Sequence, residues 1–171
     1  VRRQAQEKLR KASATPNLFK LREKLLFQEY PARENVPKRD CVIGIPCVLS
    51  FWETAPFWTT FFRSLGFKVK LSDPSTRQMY ESGLYAVTSD TVCFPAKLVH
   101  GHLRNLAKYK VDRIFMPSVA TVHSENTEST SESMCAVVKG YPIVVRNSDP
   151  PEKRWGIPFD SPLFYWYTEK D

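Results

Sequence analysis

The chain has 171 residues, 42% of them apolar, which suits one cored domain with an appendage, and its formal net charge is +7. That charge is local: residues 1–40 hold 11 Lys/Arg against 5 Asp/Glu, whereas the other 131 hold 14 against 13. A neutral body without basic residues interleaved among aromatics argues against nucleic-acid binding, and no apolar run approaches the roughly 20 residues that span a bilayer.

The expected organisation is a basic helical arm and linker over 1–40, followed by an α/β domain over 41–171. The basic N-terminus runs into charged residues rather than an apolar core, so it does not read as a secretory leader, and a cytoplasmic location is expected. The start at Val1 without an initiator methionine, and a final SPLFYWYTEKD that closes no recognisable element, read as a fragment of a longer chain. Residues 1–13 are charged and helix-prone. Leu18, Leu21, Leu25, Phe19 and Phe27 then recur at helical spacing, with Asn17 as a candidate cap. YPARENVPKRD, residues 30–40, reads as a linker.

CVIGIP, residues 41–46, is a short β-branched run stopped by proline, as in a buried parallel strand. In SFWETAPFWTTFFRSLGF, Thr54 is the expected cap and Pro56 the first turn of a helix. Phe57, Trp58, Phe61, Phe62 and Leu65 form its apolar face, and Gly66 stands where a left-handed C-terminus belongs. FKVKL, residues 67–71, alternates like a strand, and SDPSTRQMYESG gives a turn and a short helix to Gly83. Pro95 opens another helix with Leu98, Val99, Leu103 and Leu106 inward, and RIFMP, residues 113–117, is a third strand. Residues 124–134 read as a polar, mobile loop, and AVVKGYPIVVR, residues 136–146, suits strand or helix equally. The alternation predicts an open, mostly parallel, Rossmann-like sheet with helices on both faces.

In such sheets ligands gather outside the carboxyl ends of the strands. Cys47 directly follows the first strand, Ser118 follows the third, Cys93 enters a helix, and Cys135 ends the polar loop. The four cysteines, Cys41 included, form no CxxC pair, so free thiols are expected rather than a disulfide framework. Cysteines converging on one rim suit thiolate ligation of an iron–sulfur cluster, whereas a lone cysteine usually fills core space, which is the reading for Cys41. His100 and His102 are two apart on a helix and point to different faces. Each suits a surface or hydrogen-bonded role. Lys97 and Lys139 lie near the rim, and Lys97 with His100 are the candidate ligand-binding side chains, solvated surface lysines being the alternative. Phosphate-loop, dinucleotide, zinc-protease and serine-hydrolase motifs are absent from the sequence.

The phrases IGIPCVLSFWETAPFWTTFFRSLGFKVKLSDPSTRQMYESG, SDTVCFPAKLVHGHLRNL, VDRIFMPS and CAVVKGYPIVVR resemble a domain of acyl-CoA dehydratase activase-related proteins, over roughly residues 17–146. The resemblance implies a place downstream of ATPase domains of the 2-hydroxyglutaryl-CoA dehydratase activator type. It also implies similarity to the acyl-CoA dehydratase component, whose α/β domains bind an iron–sulfur cluster. The chain would then receive or relay an electron through a [4Fe-4S] cluster, with no enzymatic activity of its own. Cys93 matches the cysteine of the family's VCxPAK phrase and Cys135 the cysteine before its GYP phrase. Ser118 stands where a further cysteine is expected, and Cys47 is a third candidate ligand by position. With Ser118 in the set, three outcomes are open: a degenerate cluster, a cluster shared with another chain, or a site for something else. The alternative function is therefore a binding or interaction domain that has lost the cluster. A thiol enzyme pairing Cys93 with His100 or His102 is the remaining reading.

Overall fold

The computed structural model describes residues 16–126 and 128–166; the expected helix over 1–13 and the final residues of the chain lie outside them. In chain order the elements are α1 (Leu18–Phe27), β1 (Val42–Ile45), α2 (Phe51–Ser64), β2 (Lys68–Leu71), α3 (Arg77–Gly83) and a 3₁₀ turn (Leu84–Ala86). There follow α4 (Phe94–Lys97), α5 (Val99–Lys108), β3 (Arg113–Phe115), β4 (Ser118–Val122), α6 (Ala136–Ser148), α7 (Pro151–Trp155), β5 (Phe159–Asp160) and β6 (Leu163–Trp166). Four strands form an open parallel sheet in the order β2-β1-β3-β5, and β4 pairs in parallel with β6 beside it. No described helix is long and apolar enough to cross a membrane.

Strand alternation splits the core into two layers. Ile43 and Ile45 of β1 and Phe115 of β3 pack with Leu26, Phe51, Ala55 and Trp58 of α1 and α2. Ile114 faces the other way, onto Val99, Leu103 and Leu106 of α5 and Tyr141 and Val145 of α6. Helices therefore cover both faces, as the sequence pattern implies. Val99, Leu103 and Leu106 are fully buried, matching the inward face expected of that helix. The ambiguous run 136–146 is helical: its residues repeat at helical spacing, with Val138, Tyr141, Pro142 and Val145 buried.

The α2 helix starts a turn earlier than the expected Thr54 cap, at Ser50, so Pro56 lies inside it. Proline has no N–H to offer the Trp52 carbonyl, and the Arg22 guanidinium of α1 donates to that oxygen instead, at 3.4 Å. Thr54 Oγ1, freed from capping, donates to the Ser50 carbonyl. Of the expected apolar face only Trp58 is buried; Phe57, Phe61 and Leu65 are exposed large side chains. Trp58 anchors an aromatic cluster with Phe62, Phe115 and Phe164.

The arm is not a detached linker where it is described. Asn17 caps α1 by accepting from the Lys20 amide, and Phe27 packs on Phe51 and Trp52. The segment after it is tied along α2: the Arg33 amide donates to Ser64 Oγ, Arg63 donates to the Tyr30 carbonyl, and the Arg39 amide donates to the Gly66 carbonyl. Gly66 ends α2 with φ of +85°, and a Cβ there would stand 2.1 Å from the Pro37 carbonyl oxygen. Only glycine satisfies both the left-handed turn and that approach.

Candidate functional site

The chain runs from β1 outward to β2 and then returns to β3 on the other side of β1. That reversal leaves a crevice beyond the carboxyl ends of β1 and β3, the position where open α/β sheets hold ligands. A pocket of about 440 Å³ opens there, lined by the β1–α2 turn, the starts of α2, α4 and α6, and Ser75. The same reversal gathers residues from positions 47 to 138 of the sequence.

Three of the four sequence-predicted sulfur and oxygen ligands reach this pocket in different states. Cys93 and Cys135 are both exposed N-cap residues, of α4 and α6. The Cys135 sulfur accepts from the Val138 amide at 3.4 Å. Cys47 also lines the pocket but is buried, and its thiol donates to the Ser72 carbonyl at 3.2 Å. Burial pushes that thiol up to about 11, so it stays protonated. Ser118 is absent from the lining: it is 2% exposed and its hydroxyl donates to the Lys139 carbonyl, tying β4 to α6.

The two candidate ligand-binding residues lie elsewhere. Lys97 Nζ donates back to the Asp90 carbonyl at 2.7 Å. His100 is fully buried and outside the pocket lining, its Nδ1 3.4 Å from Asp149 Oδ2 and its ring edge-on to Tyr141. Burial lowers its pKa, opposed by Asp149. Lys139 Nζ donates to Ser133 Oγ.

His102 is equally buried but fully bonded. Its Nδ1 lies 2.7 Å from Ser72 Oγ and its Nε2 2.9 Å from Ser75 Oγ. Ser72 Oγ also accepts from the Cys47 amide, and in a neutral imidazole one ring nitrogen donates to its serine while the other accepts from its own. Burial lowers the His102 pKa to about 4. Neither imidazole bonds Cys93, so the thiol–imidazole pair of the enzyme reading is not formed. Sequence reading missed Ser50, Ser72 and Ser75. Ser50 carried a usable signal, a serine directly before an apolar helical face; Ser72 and Ser75 carried none, since they matter only once α5 packs beside them.

Among the described residues no group of three or more His, Cys, Asp and Glu side chains is arranged to hold a metal ion. A cubane takes about four thiolates, and here two accessible thiols, one buried protonated thiol and a serine pointing away do not make a self-contained set. The pocket is apolar-walled and strained at one point, since Leu49 in its lining has φ of +52°. A leucine in that region costs on the order of 1–3 kcal/mol, and such strain concentrates at ligand clamps.

An open parallel sheet with helices on both faces and a crevice at its switch point defines a Rossmann-like α/β domain. Residues 42–171 match the family model described as a CoA enzyme activase uncharacterised domain, and the chain belongs to that family. No curated protein and no solved structure gives a significant match.

The exposures set a labelling order. A thiol reagent added to the native chain is expected to modify Cys93 and Cys135 first, Cys41 more slowly, and Cys47 only on unfolding. Mass mapping of a time course checks this, and early loss of Cys47 would contradict the buried, hydrogen-bonded thiol.

Proposed function

We propose that this chain is a binding and docking module of an activase-related protein, doing no bond chemistry alone. The observation that carries this reading is the switch-point pocket, which offers an apolar cavity with two accessible thiols on it and no completed acid–base pair. The natural partners are ATPase activator domains, in the same chain or another, and an acyl-CoA dehydratase component.

Cys93 and Cys135, accessible on the same pocket, favour a second reading: an iron–sulfur cluster whose remaining ligands come from a partner. Two measurements separate the readings. A photo-crosslinker on Cys93 or Cys135 is expected to capture an ATPase domain or dehydratase component, and capture no better than from a label on the opposite edge at Lys68 would sink the docking reading. Iron and acid-labile sulfide are then assayed after anaerobic reconstitution. Iron retained only with the partner present supports the shared cluster, and stoichiometric iron on the chain alone overturns the statement that its own residues do not suffice.

A further inference from the structure

Resting on the reading of the switch-point pocket as a binding site, we infer that it takes an uncharged carbonyl compound, an apolar body ending in a C=O such as an amide or ester. The body is set by the walls: Val48, Leu49, Leu98, Met134, Val137 and Val138. The polar end is set by Ser50. This residue is 8% exposed and lines the pocket, yet its hydroxyl makes no capping bond to α2 and no other hydrogen bond among the described residues. A serine at this position ordinarily spends its oxygen on the first-turn amides. That oxygen opens to the pocket without a protein partner, and a ligand oxygen can accept its proton in place of water.

The surroundings select an acceptor without charge. Ser50 sits at the start of the 14-residue α2, where the helix presents its positive end. The lining nevertheless contains one formal charge, Glu53, and no Lys, Arg or His. A carboxylate ligand would face Glu53 with no basic side chain in the lining, and an ammonium, which could pair with Glu53, has no lone pair to accept from Ser50. A neutral carbonyl oxygen accepts from Ser50 and meets neither obstacle.

The test is an NMR titration of the full chain at pH 7 with hexanamide, hexanoate and hexylamine, followed at the Ser50, Trp52 and Val137 amides. Hexanamide is expected to bind saturably, about tenfold or more tighter than either charged probe. Ser50→Ala weakens hexanamide about tenfold, Ser50→Thr keeps it, and Glu53→Gln narrows the gap between hexanamide and hexanoate. Equal or tighter binding of a charged probe, or an unchanged affinity in Ser50→Ala, overturns the inference and leaves the pocket as a binding site. Absence of binding by all three probes overturns both the inference and the small-molecule role of the pocket, while partner docking stands on the crosslinking result.

Discussion

Lowering the pH from 7.5 to 4.5 is expected to cost the wild-type chain on the order of 2–3 kcal/mol more stability than it costs His102→Gln. The His102 pKa falls from an ordinary 6.5 to about 4 because burial disfavours the imidazolium, with only the Asp73 charge opposing. Between these values the unfolded chain binds a proton that the folded chain refuses, so the stability is present above 6.5 and is lost as pH falls toward 4. Glutamine can accept from one serine and donate to the other without titrating, which keeps the two bonds and removes the linkage. His100, whose pKa is also lowered by burial, adds pH dependence of the same sign, but it is common to both chains and cancels in the comparison. Urea unfolding at the two pH values provides the measurement, and parallel losses in the two proteins would refute the assignment.

Gly101→Ala is expected to destabilise the chain by about 3 kcal/mol. The α3 and α5 helices cross with backbone against backbone: a Cβ on Gly101 would stand 2.3 Å from the Met79 carbonyl oxygen, and one on Gly83 2.3 Å from the Gly101 amide. Neither neighbour is a side chain that can swing aside. Alanine gains roughly 1 kcal/mol of helix propensity over glycine, which is too little to offset separating the helices. Gly140, inside α6 with nothing within 4 Å of its Cβ position, is the control. There alanine is expected to stabilise by roughly 0.5–1 kcal/mol. A neutral or stabilising Gly101→Ala by denaturant titration would mean that the helices do not cross this closely.

The elements legible from residue pattern were those whose signal is local. The β-branched run ending in Pro46, the glycine at 66, Pro95 after Cys93 and the inward Val99, Leu103 and Leu106 each act through neighbours a few residues away. The α2 start was misplaced because Pro56 mimics a first-turn proline, and the competing signal, an Arg22 donor for the orphaned Trp52 carbonyl, comes from 30 residues upstream. The β4–β6 pair was invisible for a similar reason: it joins Ser118 to Leu163 across α6, α7 and β5.

The candidate site divides along the same line. Strand order and the rule that ligands sit at carboxyl ends were enough to bring Cys47, Cys93 and Cys135 toward one rim, because topology follows from the alternation of strand and helix. Whether each side chain faces the pocket depends on packing that no local pattern encodes. Cys47 turns to the Ser72 carbonyl, Ser118 turns to the Lys139 carbonyl, and Lys97 reaches back to Asp90. Ser50, the unpaired hydroxyl, acquires its meaning only from the apolar walls and the single carboxylate placed around it. Composition and periodicity thus decided the class of fold and the rim, since hydrophobic burial is averaged over many residues. The tertiary contacts decided the chemistry of the pocket, since hydrogen bonds of single side chains depend on partners distant in sequence.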